Sequence, residues 1–139
     1  MKKEPYQIAF IGGGVNSAIG EVHKAACQMD GHFELVAGAF STHEETNQKT
    51  AKTWGVSPER TYSNYHELLK AEQGKLDAVI VLAPTDLHKD IVIEALDAGF
   101  PVICEKSLAT SFEEGKDIAQ KVDETKGFFC TTYNYTGYP

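Results

Sequence analysis

Short apolar runs alternate along this chain with segments in which apolar side chains recur at three- and four-residue spacing. Ala18, Val22 and Ala25 show that spacing after the first run, which predicts one buried face of a helix. The pattern predicts roughly six strands and five helices in alternation. The predicted strands are residues 6–11, 33–40, a short third strand at Thr61-Tyr62, 77–83, 102–104 and 128–133.

Helix boundaries are marked by capping residues and glycines. Asn64-x-x-Glu67 and Ser111-x-x-Glu114 have the spacing of a capping box. Ser41 or Thr42 is expected to cap the helix that ends near Trp54.

The strict alternation of strand and helix favours a parallel sheet with helical crossovers. Residues 79–83 and 102–104 are apolar without polar alternation, as in strands that helices cover on both faces. The predicted fold class is therefore α/β, a doubly wound parallel sheet. No repeat, linker or charge block divides the chain, so residues 1–135 are expected to form a single domain.

Composition narrows the class of protein. The 139 residues carry 13 basic and 20 acidic side chains, a net charge of −7, and no stripe of Lys or Arg, which argues against nucleic acid as a partner. The apolar runs are too short to cross a membrane or to form a signal peptide, so a cytoplasmic protein is expected. Three cysteines without a C-x-x-C pair fit a reducing compartment and buried thiols. They give no support for a metal site.

A glycine loop follows the first predicted strand. Residues 12–17 read Gly-Gly-Gly-Val-Asn-Ser, which matches G-x-G-x-x-G with Ser17 in the third position. Gly12 would permit a tight turn, and Gly14 would let the backbone approach a pyrophosphate at the start of a helix. Without Gly-Lys-Ser/Thr the segment is not a P-loop. The loop predicts dinucleotide binding.

The end of the second strand bears on the choice between NAD and NADP. NAD enzymes often place a carboxylate there, but this strand ends in Phe40, Ser41, Thr42 and His43. The hydroxyls and the histidine could receive a 2′-phosphate, whereas the glutamates that follow would oppose it. The residues leave NAD and NADP open, with a slight preference for NADP.

Three more strand ends carry polar residues. After residue 83, Thr85 or Asp86 is expected to cap the next helix, and His88 is expected at the surface or in a capping role. Glu105 and Lys106 follow a buried strand and are expected to face the ligand crevice, or else to form a solvated ion pair in a loop.

Together these strand ends resemble the Gfo/Idh/MocA family of oxidoreductases. The glycine loop matches, Pro84 and His88 match two positions of the family's Thr-Pro-Asn-x-x-His signature, and Glu105-Lys106-Ser107 matches Glu-Lys-Pro except at its last residue. The resemblance implies a Rossmann fold that binds NAD or NADP, with Lys106 as a catalytic residue near the nicotinamide and the substrate. The expected cofactor-binding residues are Gly12, Gly14, Val15, Asn16, Ser17, Ser41, Thr42, Ala83, Pro84, Thr85, His88, Glu105, Lys106 and Asn134. Because Ser107 replaces proline, the backbone beside the lysine is expected to be freer.

The resemblance also implies a larger enzyme that transfers hydride to or from a sugar, cyclitol or similar polyol. In the family a second domain carries the substrate pocket and most of the oligomer interface. Residues 136–139 would begin the crossover to it, and this chain alone would be inactive. The full-length protein is expected to be a homo-oligomer, and Tyr133, Tyr135 and Tyr138 are expected to be exposed on the isolated domain. The alternatives are a nucleotide-sensing domain without catalysis and a methyltransferase that binds S-adenosylmethionine.

Overall fold

Five parallel strands form one sheet in the order β2-β1-β3-β4-β5. The computed structural model describes residues 4–137. The strands are β1 (Tyr6–Gly12), β2 (Phe33–Ala39), β3 (Ala78–Leu82), β4 (Val102–Glu105) and β5 (Phe129–Thr132). The helices are α1 (Ala18–Gln28), α2 (Glu44–Trp54), α3 (Tyr65–Glu72), α4 (His88–Asp97) and α5 (Phe112–Thr125). In the described part of the chain, no helix is long and apolar enough to cross a membrane.

Two apolar cores confirm that the sheet is doubly wound. On β1, Ile8 and Phe10 face the core that contains Cys27 of α1 and Ala51 of α2. Ala9 and Ile11 of the same strand face the other core, which takes Leu68, Ile91 and Ile118 from α3, α4 and α5. Because neighbouring residues of a strand point to opposite faces, an uninterrupted apolar run is what a doubly covered strand requires.

The third predicted strand is wrong. Thr61 forms one isolated parallel bridge to Gly38, and the Tyr62 N–H donates to the Gly38 carbonyl at 2.8 Å. The chain cannot extend this pairing, because Asn64 already caps α3 by accepting the Glu67 N–H at 2.9 Å. The described sheet therefore has five strands, with a single bridge at its β2 edge.

The capping expectations divide into two groups. Asn64 caps α3 and Ser111 caps α5 as predicted. In contrast, His43 rather than Ser41 or Thr42 precedes α2.

Neither Thr85 nor Asp86 caps α4. Both lie in a 3₁₀ turn, Thr85–Leu87, that runs directly into α4 and is closed by the Leu87 N–H on the Pro84 carbonyl at 3.0 Å. This turn takes the place of a side-chain cap.

The cysteines are mostly shielded, as expected. Cys27 and Cys104 are buried and Cys130 is half-buried, all as free thiols. Burial raises the pKa of Cys104 to about 12, so its thiolate is suppressed at neutral pH.

The last described residues follow β5 as a 3₁₀ turn, Asn134–Gly137. Tyr133 and Tyr135 are exposed, as predicted. Tyr138 lies outside the described residues.

A buried carboxylate fixes the β2 edge of the fold. Glu72, at the end of α3, is 1% exposed and receives the Arg60 guanidinium through Nε at 2.9 Å and Nη2 at 2.6 Å. The Tyr62 hydroxyl donates to the same carboxylate at 2.7 Å. Burial alone would raise the pKa of Glu72, but the hydrogen bonds from Arg60 and Tyr62 outweigh burial and hold that pKa below its ordinary value.

Arg60→Ala is expected to lower the free energy of unfolding by about 3 kcal/mol at neutral pH, because it leaves a buried charge without its partner. The folded-state pKa of Glu72 lies below its unfolded value, so the stability it contributes is present above the unfolded value and is lost as pH falls through the folded value. The difference between wild type and variant should therefore shrink in acid. Urea unfolding across pH 3–7 measures it.

Lys121→Ala is the control for the Arg60 experiment. Its ammonium pairs with Asp97 and Glu124 at the surface, so its loss should change the free energy of unfolding far less than the loss of Arg60. A deficit in Arg60→Ala that stays constant across the whole pH range would contradict a role for the ionised Glu72.

Candidate functional site

The candidate site lies at the carboxyl ends of the strands, where the chain order reverses. From β1 the chain runs outward to β2 on one side and returns to β3 on the other. In doubly wound sheets the crevice at such a switch point is where ligands bind. The loops after all five strands meet at this edge of the sheet.

The glycine loop is tied to the sheet on both sides. Gly12 has φ +83°, and a Cβ there would lie 2.6 Å from the backbone nitrogen of Ala83. The Gly14 N–H donates to the Phe40 carbonyl at 3.1 Å, and the Val15 N–H donates to Thr50 Oγ1 at 3.0 Å. The loop is therefore fixed against the ends of β2 and β3 and against α2.

Gly20 makes the closest contact between α1 and the glycine loop. A Cβ on Gly20 would overlap the carbonyl oxygen of Gly13, so only glycine lets α1 approach the loop this closely. A glycine inside a helix lowers its stability and usually has a packing reason, and that was the available signal. Gly20, three positions after Ser17, is thus the residue that lets α1 pack against this loop.

The start of α1 is open toward the crevice. Ser17 is the N-cap residue, yet its side chain makes no capping hydrogen bond. Its N–H donates to the Gly14 carbonyl at 2.7 Å, and Asn16 is exposed. Among residues 4–137, the Asn16 side chain and the Ser17 hydroxyl have no hydrogen-bond partner. These groups and the positive end of the helix dipole fit the phosphates of a dinucleotide.

The end of β2 presents hydroxyls and no carboxylate. Ser41 is half-buried and Thr42 is exposed. Ser41 Oγ accepts the His43 N–H at 3.1 Å and keeps its own proton to donate. Glu44 and Glu45 lie in the first turn of α2 and are exposed.

His88 corrects the expectation of a surface or capping residue. It is 1% exposed, with Nδ1 2.8 Å from the Ser107 carbonyl and Nε2 2.8 Å from the Ala83 carbonyl. A neutral imidazole has one N–H, so both contacts are hydrogen bonds only when the ring carries two protons. The buried ring joins the loops after β3 and β4.

Glu105 also departs from its prediction. Its carboxylate is buried and forms no ion pair with the Lys106 ammonium. Instead Oε1 receives His23 Nε2 at 3.0 Å and Thr132 Oγ1 at 2.7 Å, and Oε2 accepts the Lys106 N–H at 2.9 Å. Burial would raise the pKa of Glu105, but these hydrogen bonds together hold it below its ordinary value.

Lys106 itself is exposed at the crevice edge. Among the described residues its ammonium forms no ion pair, so the charge is available to a ligand. The Ser107 carbonyl lies 2.8 Å from His88 Nδ1. This contact restrains the backbone beside the lysine, where the sequence predicted greater freedom.

The remaining predicted residues line the rim. Ala83 and Thr85 are half-buried and Pro84 is exposed in the turn after β3, and Asn134 is exposed after β5. In residues 4–137 no group of three or more His, Cys, Asp or Glu side chains is arranged to hold a metal ion. The edge therefore combines an open helix start, hydroxyls and one unpaired cation.

The sequence matches the family model GFO_IDH_MocA, described as "Oxidoreductase family, NAD-binding Rossmann fold", over residues 6–133. The chain belongs to this family, which confirms the predicted resemblance and fold. A relative in Bacillus subtilis, the uncharacterized oxidoreductase YfiI, is 33% identical over 138 residues, which cover 96% of this chain.

Solved structures agree with the fold. An inositol dehydrogenase homolog from Azotobacter vinelandii, complexed with NAD⁺, has a TM-score of 0.91 and 35% identity over 97% of this chain and 36% of its own. An inositol dehydrogenase homolog from Azotobacter vinelandii complexed with NADH and myo-inositol gives a TM-score of 0.90, with 35% identity over 96% of this chain and 36% of its own. The chain spans 35% of the length of YfiI, so it corresponds to the NAD-binding part of such proteins.

Gly20→Ala is expected to destabilise the fold by about 3 kcal/mol and to abolish dinucleotide binding, because the methyl group must push α1 away from the glycine loop. Thermal unfolding and an NADH titration measure the two effects.

Gly115→Ala in α5 is the matched control for Gly20→Ala, because its Cβ would meet nothing within 4 Å. It should gain about 0.5–1 kcal/mol and leave binding unchanged. Equal stability of the two variants would show that the close approach at Gly20 is unimportant.

Proposed function

We propose that this member of the Gfo/Idh/MocA oxidoreductases is the part that binds NAD or NADP in an enzyme that transfers hydride to or from a sugar, cyclitol or similar polyol. The observation that carries the proposal is the shared edge of the sheet. There the open start of α1 and the Lys106 ammonium, which has no ion pair within residues 4–137, border one crevice. A dinucleotide needs an anion site at one end of such a crevice and, for hydride transfer, a polar catalytic group at the other.

The glycine loop would hold the pyrophosphate. Gly12 and Gly14 have no side chain, so the pyrophosphate could approach the backbone closely. Val15, Asn16 and Ser17 lead directly into α1, where its N-terminal N–H groups would meet the phosphates. Ser41 and Thr42 would border the adenine ribose, since they follow β2. At the other end, the rim residues after β3 and β5 would border the nicotinamide: Ala83, Pro84, Thr85 and Asn134. His88 and Glu105 would support these loops from below rather than touch the cofactor.

The bound cofactor supplies the hydride chemistry. Lys106 would orient the reacting hydroxyl and, as a cation, would stabilise the negative charge that develops on that oxygen during hydride transfer. Its exposure and the absence of a carboxylate partner among the described residues support this assignment.

Both forms of the cofactor would fit the end of β2. No carboxylate follows β2 directly to repel a 2′-phosphate, and the nearest are Glu44 and Glu45 in α2. The slight preference for NADP stays a prediction, and the relatives solved with NAD⁺ or NADH favour NAD.

The substrate class, the assembly and the compartment are proposals for the whole protein. The myo-inositol bound to the Azotobacter relative supports a polyol. Exposed Tyr133 supports a homo-oligomeric surface near the end of the described chain. We also propose a cytoplasmic location, which the free thiols support, and a domain boundary near residue 135.

A nucleotide-sensing domain is the second candidate, because a Rossmann fold can bind a dinucleotide without catalysis. The exposed Lys106 at the crevice argues against it, since a sensor has no use for a cation at the reacting end. Intact cofactor binding together with no effect of Lys106→Ala on the activity of the full-length protein would favour the sensor.

The purified chain is expected to bind NADH and NADPH, and energy transfer from Trp54, the single tryptophan, reports it. Trp54 packs edge-on against Phe10 and Phe40, at 6.0 Å and 5.5 Å between ring centroids, so its emission has one defined environment. If neither NADH nor NADPH binds, and calorimetry confirms this, the proposed function is contradicted.

Ser41→Asp is expected to lower the affinity for NADPH about tenfold relative to the affinity for NADH, because it adds a carboxylate where a 2′-phosphate would lie. Ser111→Asp is the control. It adds the same charge at the N-cap of α5, where aspartate caps equally well, and should alter neither affinity. An unchanged ratio of the two affinities in Ser41→Asp would place the ribose elsewhere.

A further inference from the structure

His23 links the helix of the glycine loop to the strand that carries the lysine. It lies on α1, five positions after the first helical residue, and its Nε2 is 3.0 Å from Glu105 Oε1 at the end of β4. The two side chains are only 13% and 11% exposed. The proposed function assigns His23 no role.

Glu105 is fully committed to this link. Thr132, its register partner on β5, donates to Oε1 at 2.7 Å, so that this oxygen is shared with His23. The other oxygen, Oε2, accepts the backbone N–H of Lys106 at 2.9 Å. The His23 ring is itself held in place by an edge-on contact with Phe10, at 6.4 Å and 85°.

The carboxylate acts at the point where strand pairing stops. The last register pair between β4 and β5 joins Glu105 to Thr132, so the Lys106 N–H lies beyond the ladder. A side chain therefore takes the place of a strand partner for that N–H. The direction in which Lys106 leaves the strand depends on the orientation of Glu105, which His23 and Thr132 fix.

We propose that His23 is a positioning residue, which holds Lys106 through Glu105 and so couples the phosphate-binding end of the crevice to the reacting end. The part that concerns the cofactor rests on the proposed function. A buried histidine–carboxylate pair gives little net stability compared with apolar side chains of similar size. Orientation of the Lys106 backbone is a benefit that apolar side chains could not supply.

A second histidine–glutamate pair offers a matched control. His66 Nδ1 lies 2.7 Å from Glu94 Oε2, but the side chains are 61% and 40% exposed, and this pair joins α3 to α4 on the surface. Glu94 receives no hydrogen bond other than those from His66 in the described chain. Loss of this pair should leave the crevice unchanged.

The experiment compares His23→Phe, His23→Gln and His66→Gln in the 139-residue chain. Phenylalanine keeps the ring packed against Phe10 and removes the donor, whereas the glutamine amide can still donate to Glu105. Hydrogen exchange of the Lys106 amide, followed by NMR, reports the link directly. Titrations with NADH and with ADP-ribose, which lacks nicotinamide, report the two ends of the crevice separately. Thermal unfolding records overall stability.

His23→Phe is expected to lower the protection of the Lys106 amide by about tenfold, while amides in the middle of β1 keep theirs. It should lower the affinity for NADH several-fold and change the affinity for ADP-ribose by less than about twofold. His23→Gln should keep most of the wild-type protection of the Lys106 amide and most of the affinity for NADH. His66→Gln should leave both unchanged.

Unchanged protection of the Lys106 amide in His23→Phe would overturn the link, and so would protection lost equally throughout the chain. Equal weakening of NADH and ADP-ribose would overturn the coupling to the reacting end, because it would indicate a general effect on α1. If the wild-type chain binds neither nucleotide, the proposed function fails, whereas the exchange data still decide whether His23 holds Lys106. If His23→Phe does not fold, the comparison of His23→Gln with wild type decides it: protection lost in folded His23→Gln overturns the link through a donated hydrogen bond.

Discussion

The close approach of α1 to the glycine loop is the constraint on which the candidate site depends. Gly20 lies against the carbonyl of Gly13, where any side chain would collide. This contact sets the height of α1 over the sheet and thereby the position of its open N-terminus. It also brings His23, one turn further along α1, within 3.0 Å of Glu105 on β4. Because Gly20 has no side chain, α1 lies where its N-terminus can meet an anion and where His23 can contact Glu105 at the other end of the crevice.

The fold was predictable because apolar periodicity reports which faces are buried. β3 is apolar throughout and β4 is apolar up to its last residue, Glu105, as a strand covered on both faces requires. Thr61-Tyr62 shows the limit of that reasoning. Two strand-favouring residues satisfy a local preference, but pairing needs length, and the cap of α3 at Asn64 uses the next residues. The preferences of two residues do not show how many further residues are available to extend the strand.

The site was predictable in location but not in its supports. Polar residues after parallel strands meet at one edge whatever their contacts, so Lys106 and Ser17 could be placed there from sequence. His88 and Glu105 were expected to face solvent or ligand, because charged and polar side chains after a strand usually do. Their burial depends on partners 19 and 82 positions away, Ser107 and His23, and no local pattern reports contacts at that separation. The sequence showed Gly20 as a glycine within a predicted helix, but its role became clear only from its contact with the glycine loop in the structure.

Most of the buried polar residues of the described chain hold the loops around the crevice, which explains why their burial is tolerated. Five are buried: Asn47, Thr50, Glu72, His88 and Glu105. All except Glu72 lie within hydrogen-bond distance of backbone groups of the loops around the crevice, namely those of Phe40, Val15, Ala83, Ser107 and Lys106. A loop beyond the end of a strand has no ladder to satisfy its N–H and C=O groups, and burying them unpaired would be costly. Side chains from the interior supply the missing partners and at the same time hold each loop in one conformation. A crevice held in this way needs little ordering when a ligand binds, which is the condition under which a small set of polar contacts gives useful affinity.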